Sequence, residues 1–233
     1  MVGSEENSVV RGELMYTLAN HMCSKFKTCG PDGDVADGDS SINRRLFQLF
    51  NQGQRHLDRG ECSNARATVT KVAALMRVPL IQGTLRSAYT IGTFRRRHSQ
   101  ALGRGAAFAA SILPQVSACS PEDANKIYSH MRVDADRTNF DAVKQALERN
   151  YPCMGIVCAD VGGYWDAANR EYFEGAEACT DAKPSLGPTL APTPQPTVSP
   201  RPTPAPMPIS SALSQRPWVT VLTLALAAVG LVI

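Results

Sequence analysis

Oxygen-bearing side chains are concentrated in one short segment near the end of the cysteine-containing region. Asp160, Tyr164, Asp166 and Tyr172 place two carboxylates and two phenols there. Carboxylate and phenolate oxygens are hard donors, and they suit a hard cation such as Fe(III). Packing of Tyr164 beside Trp165 is the simpler alternative. The segment therefore predicts either a site for a hard metal ion or an aromatic cluster.

The acidic segment 32–39 is a second candidate for metal binding. Asp32 and Asp34 match the first ligands of an EF-hand loop. However, Asp37 stands where that loop requires glycine, and Asn43 stands where it requires a bidentate glutamate. We therefore interpret segment 32–39 as an acidic surface turn.

The sequence carries no recognised catalytic signature. It lacks the Gly-x-Ser-x-Gly elbow, the His-Glu-x-x-His zinc motif and a phosphate-binding loop. Its four histidines lie on separate predicted helices, at His21, His56, His98 and His130. We therefore predict that the protein is not an enzyme. A surface enzyme of the carbonic-anhydrase type is a further hypothesis, but the sequence shows no clustered His/Cys zinc pattern.

Charge argues against a nucleic-acid partner. Three of the 24 basic residues and none of the 21 acidic residues lie after residue 182, so residues 1–182 are formally neutral. A nucleic-acid-binding domain usually carries a basic patch. The one basic run, Arg-Arg-Arg-His at 95–98, is interpreted as a solvated helix face.

The cysteines predict disulfides. All seven precede the proline-rich region and none forms a Cys-x-x-Cys pair, which argues against a zinc ribbon or a thioredoxin-like site. They are Cys23, Cys29, Cys62, Cys119, Cys153, Cys158 and Cys179. An exterior, anchored location favours oxidised pairs. Because seven is odd, one thiol lacks a partner within this chain.

Residues 1–182 are predicted to form one mainly α domain that contains disulfides. Apolar residues recur at helical spacing through 9–26, and Ser41 and Ser63 are predicted helix caps. The inward faces are predicted as Ile42, Leu46, Leu49 and Phe50; Val69, Val72, Ala73 and Met76; Ile127, Tyr128 and Met131; and Phe140, Val143, Ala146 and Leu147. Ser120 before Pro121, and the run 138–141, predict two further helix starts. Segment 151–166 is predicted to be a cysteine- and glycine-rich, disulfide-tied loop.

The rest of the chain reads as a stalk and an anchor. Residues 183–217 alternate proline with threonine, serine and alanine, which predicts a disordered, O-glycosylated stalk. Residues 218–233 are apolar and shorter than the roughly 20 residues of a spanning helix. Ser210, Ser211 and Ala212 have the small side chains of a GPI attachment site. We therefore favour a GPI signal over a single C-terminal span, and predict the extracellular face of the plasma membrane.

The first seven residues are polar and do not form a signal peptide. Since the predicted anchor requires the secretory route, we expect the natural sequence to begin further upstream. An eighth cysteine is expected there, the alternative being a free thiol.

Several segments together resemble one known family. They are Tyr-Thr-Leu-Ala-Asn at 16–20 with Cys23, Phe26 and Thr-Cys-Gly at 28–30; Leu-Phe-Asn-Gln-Gly-Gln at 49–54; Gly-Glu-Cys at 60–62; Val-Pro-Leu-Ile-Gln-Gly-Thr-Leu-Arg at 78–86; Gly-Ala-Ala-Phe-Ala-Ala at 105–110; and Tyr151 to Cys153 with Gly155, Ile156, Cys158 and 160–163. Over roughly residues 12–179 the chain resembles the phytotransferrins, the iron-starvation-induced, Fe-assimilating surface proteins of algae and diatoms. Residues 1–182 would then be the C-terminal part of that domain.

The resemblance implies a surface protein that binds Fe(III) with carbonate as a synergistic anion and is then internalised with endocytic partners. On the matching segments and their chemistry, the metal candidates are Asp160, Tyr164, Asp166, Tyr128 and His130, with Arg86 for the anion. Protonation of carbonate on acidification would release the iron. The alternative function is a metal-free adhesive or structural module of the cell wall.

Overall fold

The computed structural model describes residues 14–94 and 99–181. The chain divides into two units, Met1–Ser185 and Leu186–Ile233, and the described residues all belong to the first. The predicted stalk at 183–217, the predicted anchor at 218–233, the basic run at 95–98 and the start of the apolar pattern at 9–26 lie outside the described residues.

The described residues form mainly helix, which confirms the predicted fold class. In chain order the elements are α1 (Met15–Phe26), α2 (Ser41–Asp58), α3 (Cys62–Gly92), α4 (Ser99–Cys119), α5 (Pro121–Met131), α6 (Phe140–Glu148), α7 (Tyr151–Met154), α8 (Cys158–Val161), β1 (Trp165–Asp166) and β2 (Glu171–Tyr172). The two strands pair antiparallel. Helix α3 is the longest, and it contacts α1, α2, α4, α6 and α8, so it lies at the centre of the core.

The predicted starts of α5 and α6 are confirmed. The Ser120 hydroxyl accepts a hydrogen bond from the Asp123 amide at 3.2 Å, and the Asn139 side chain accepts one from the Ala142 amide at 3.0 Å. These bonds satisfy amides that have no partner within the helix. The predicted inward face of α6 is buried throughout, at Phe140, Val143, Ala146 and Leu147.

The predicted caps of α2 and α3 are wrong. Ser41 is the first residue of α2, and the hydroxyl that caps the helix is that of Ser40, which accepts from the Ile42 amide. Helix α3 begins at Cys62, so Ser63 is already inside its first turn. Residue type alone does not show which of two adjacent serines caps a helix. It also does not show whether a helix begins at a serine or one residue before it.

Four side chains predicted to face the core are exposed instead. They are Phe50 at 60%, Val69 at 65%, Met76 at 40% and Tyr128 at 54% exposure. Different neighbours bury different positions along α3, because α1, α2, α4, α6 and α8 contact it on several sides. A single apolar stripe therefore does not describe this helix.

Two glycines let α3 and α4 approach each other closely. A Cβ atom at Gly83 would lie 2.5 Å from the Phe108 ring, and one at Gly105 would lie 2.9 Å from Ile91 and 3.3 Å from Ser87. The prediction that the Ala-rich run 105–113 suits close packing is confirmed at Gly105. Segment 32–39 forms exposed turns, as predicted.

Within residues 14–94 and 99–181, no helix combines the length and the apolar character needed to traverse a bilayer.

A buried carboxylate connects α5 to the end of α6. Asp123 is 8% exposed, and its carboxylate accepts from the Arg149 guanidinium at 2.6 Å and from the Asn150 amide at 2.8 Å. The hydrogen bond from Arg149 is the main reason that the pKa of Asp123 is lowered in the folded protein. A lowered folded pKa stabilises the protein above the ordinary aspartate value of about 3.9.

We expect Asp123→Asn to lower the free energy of unfolding at neutral pH and to lose part of the acid sensitivity of the protein. The contribution of Asp123 disappears as pH falls through its lowered folded pKa, so the difference between the two proteins should narrow below about pH 4. Urea unfolding at a series of pH values measures this. Exposed Asp136, which has no ion pair among the described residues, supplies the control Asp136→Asn. A difference that widens on acidification would contradict the prediction.

Candidate anion and metal site

The segment that carries most of the metal candidates is tied down by disulfides, as predicted. Instead of a continuous loop it contains the four-residue helices α7 and α8, followed by the β1–β2 hairpin. The disulfide Cys119–Cys153 joins α7 to the end of α4, and Cys158–Cys179 joins α8 to the chain beyond the hairpin. A third disulfide joins Cys23 to Cys29. All seven cysteines are described, and Cys62 is the odd one, with a free and exposed thiol.

Asp160 is committed to a structural ion pair. It is 5% exposed, and one carboxylate oxygen accepts from the guanidinium of Arg45 on α2. The other oxygen accepts from the Val157 amide at 3.2 Å, at the start of α8. A bound metal ion would have to compete with both partners, so Asp160 acts here as a clamp between α2 and α8.

We expect Arg45→Gln to destabilise the protein by about 1–3 kcal/mol, because it leaves the buried carboxylate of Asp160 without its cation. Arg44 is the matched control, since it is exposed on the same helix and makes no ion pair among the described residues. Arg44→Gln should stay within about 0.5 kcal/mol of the wild type. Chemical denaturation measures both variants, and equal effects would refute the clamp.

Tyr164 is held in an aromatic cluster. Its ring centroid lies 4.6 Å from that of Phe173, and 5.5 Å from those of Phe26 and Tyr89. Its amide donates to the Ala176 carbonyl, which fixes the backbone. The packing alternative is therefore correct for the ring. The hydroxyl makes no hydrogen bond to the described residues, and no buried side-chain polar atom there lacks a partner, so the hydroxyl reaches solvent.

The other metal candidates have separate local roles. Asp166 closes the hairpin turn by accepting from the Ala168 and Asn169 amides. Tyr128 is exposed on α5, and the Nδ1 atom of His130 lies 3.2 Å from the Arg137 carbonyl. A carbonyl only accepts, so Nδ1 carries a proton. Within 14–94 and 99–181, no three His, Cys, Asp or Glu side chains form a metal-binding group.

Tyr172 packs across the hairpin from Trp165, with ring centroids 5.0 Å apart. The Lys27 ammonium lies 4.7 Å from the Trp165 ring, a cation–π contact. Tyr172 therefore contributes to the packing of the hairpin.

Arg86 and Tyr164 are the two sequence candidates that the structure brings together. Both line a cavity of about 250 Å³ between α1, α3 and α4. A guanidinium nitrogen of Arg86 lies 3.2 Å from the Nε2 atom of His21, and no carboxylate pairs with Arg86 among the described residues. Because guanidinium only donates, Nε2 of His21 accepts in this contact.

Sequence reasoning missed Arg104. This residue lies on α4 and lines the same cavity, and among the described residues it too has no carboxylate partner. The described lining residues are Met22, Gly83, Arg86, Ser87, Thr90, Ile91, Phe94, Gln100, Ala101, Arg104, Phe108 and Tyr164, and none of them is acidic. Two permanent positive charges without an internal counter-charge make the cavity suitable for an anion.

Comparisons with known protein families, with curated proteins and with solved structures each find no match to this chain.

Proposed function

We propose that this protein binds ferric iron at the cell surface for iron uptake, with carbonate as the synergistic anion. The supporting observation is that Arg86 and Tyr164 line one cavity, so a guanidinium-bearing side chain and a phenol-bearing side chain border the same space. A phenolate suits a ferric ion, and a guanidinium fork suits a planar oxyanion. The protein would act as a binding protein and not as an enzyme.

In this proposal each side chain has a defined task. Arg86 would hold the anion, with Arg104 as a second cation, and Tyr164 would supply a phenolate to the iron. The ring contacts of Tyr164 with Phe26, Tyr89 and Phe173 would keep its oxygen at the cavity. Protonation of the anion would weaken its attraction to the guanidinium groups, so acidification would release the cargo. The C-terminal anchor would keep the protein at the membrane until endocytic partners internalise it.

The test is spectroscopic. The full chain, loaded with ferric salt and bicarbonate at neutral pH, should show a visible tyrosinate-to-iron charge-transfer band. Tyr164→Phe should abolish the band. Tyr16→Phe, at a tyrosine that is 59% exposed on α1, should leave it unchanged. Iron retention that is unaffected by removing bicarbonate, or a band that survives Tyr164→Phe, would overturn the proposal.

A metal-free adhesive or structural module of the cell wall is the second candidate function. The observation that favours it is the exposure of Phe47, Phe50 and Leu57 on α2, at 69%, 60% and 64%. Large exposed apolar side chains often belong to interaction surfaces. Binding to isolated wall material that is lost in Phe47→Ser and retained in Tyr164→Phe would favour this candidate.

A further inference from the structure

We propose that the Arg86–Arg104 cavity recognises an organic polycarboxylate, a small hydroxyacid of the citrate type, and that iron reaches the protein as its ferric complex. The statement about iron rests on the proposed binding of ferric iron. The statement about the anion concerns the metal-free cavity, and it puts a polycarboxylate where the proposed function places carbonate. Four properties of the cavity support the proposal: its charge, its size, the groups in its walls and the small number of metal-donating side chains.

The charge of the cavity fits more than one carboxylate. Arg86 belongs to α3 and Arg104 to α4, so the two basic residues that line the cavity come from different helices. Each guanidinium can hold one carboxylate through two parallel hydrogen bonds. Since no described lining residue is acidic, neither cation is neutralised within the cavity. A ligand with two or more carboxylates would satisfy both.

The size of the cavity exceeds what carbonate needs. A water molecule needs at least about 10–15 Å³ of cavity volume, and the cavity offers about 250 Å³. Carbonate is an ion of four heavy atoms and fills only a small part of this space. The remaining space suits a ligand with a carbon backbone.

The walls of the cavity carry both polar and apolar groups. Met22, Ile91 and Phe108 are apolar, while Ser87 and Thr90 carry hydroxyl groups. The Phe108 ring lies directly on Gly83. An organic acid can contact both kinds of group, whereas carbonate has no apolar surface to place against the first.

The supply of metal donors points in the same direction. Among the described lining residues, Tyr164 is the single side chain with a phenol or carboxylate oxygen. Asp160 is paired with Arg45, and Asp166 closes the hairpin turn. One phenolate does not fill the coordination shell of a ferric ion. The missing oxygens are available if the ion arrives already chelated by a polycarboxylate.

The experiment is a calorimetric titration of the metal-free full chain with citrate, and separately with bicarbonate and sulfate. Citrate should bind at least about tenfold more tightly than either inorganic anion. Arg86→Gln and Arg104→Gln should each weaken citrate binding by about tenfold or more, as expected for a lost charge-assisted contact. Arg66→Gln removes the same charge from an exposed position on α3 and should change the affinity less than twofold.

The outcomes separate this inference from the proposed function. Bicarbonate or sulfate binding as tightly as citrate, or an unchanged affinity in Arg104→Gln, would overturn the inference. Circular dichroism and the thermal midpoint establish that each variant is folded, and Arg104→Lys gives a second, milder change at the same position. Citrate binding without any ferric charge-transfer band would overturn the proposed function and leave the anion site standing. A bicarbonate-dependent band without citrate binding would overturn the inference and support the proposed function.

Discussion

Gly162→Ala is expected to destabilise the protein by about 3 kcal/mol or more. Gly162 ends α8 with φ +68° and ψ −166°, a region of backbone space that is almost restricted to glycine. A Cβ atom there would also lie 2.3 Å from the Phe26 carbonyl oxygen and 2.6 Å from the Thr28 side chain. Because the first of these atoms belongs to the backbone at the end of α1, a side-chain rotation cannot relieve the clash.

A second glycine provides the control for this experiment. Gly60 has φ +70°, and a Cβ atom there would meet nothing within 4 Å. Gly60→Ala therefore introduces the backbone penalty of about 1–2 kcal/mol without the clash. Urea unfolding with an unchanged m-value gives both free energies. Equal losses in the two variants would mean that the contact between Gly162 and Phe26 does not control the stability.

This substitution also has a consequence for the candidate site. Tyr164 follows Gly162 by two residues, and its ring packs against Phe26. Displacement of α8 from α1 would therefore move the phenol away from the cavity. We expect the ferric charge-transfer band to weaken in Gly162→Ala and to persist in Gly60→Ala.

Removing the disulfide Cys119–Cys153 is expected to cost about 4 kcal/mol. The bond spans a sequence separation of 34, and the loss follows from the larger loop entropy of the unfolded chain. Cys153 is exposed and Cys119 is half-buried, so serine at both positions adds little desolvation cost. Cys119→Ser with Cys153→Ser tests this by chemical denaturation under non-reducing conditions.

Cys62→Ser is the matched control, since Cys62 is free and exposed. It should leave the free energy of unfolding within about 0.5 kcal/mol of the wild type. A loss in Cys62→Ser as large as in the double variant would show that the cysteines do not pair as described.

Local signals were sufficient where a helix start depends on neighbouring residues. The caps at Ser120 and Asn139 and the buried face of α6 follow from side chains within one turn of each other. The odd thiol follows from counting cysteines. Counting does not identify which cysteine stays free, because several pairings are compatible with seven cysteines. The packing of the helices decides which of these pairings forms.

The faces of α2 and α3 depended on tertiary contacts. Phe50 and Val69 have the residue types of a core and are nevertheless exposed, because the space beside them is not filled by another described helix. Val78, Ile81 and Leu85 are buried because α3 runs through the centre of the molecule. Periodicity predicts that a helix has an apolar face, but the neighbours decide which face that is.

The same distinction applies to the candidate site. Residue type predicted Tyr164 as a hard oxygen donor, and the resemblance of a matching segment suggested Arg86 as the anion-binding residue. Their common cavity, and the participation of Arg104, result from the close crossing of α3 and α4 at Gly83 and Gly105. Conversely, Asp160 has the chemistry of a ligand but is paired with Arg45. Side-chain chemistry is a local property of the sequence, whereas convergence and pairing are distances between remote residues, and these are fixed when the helices pack.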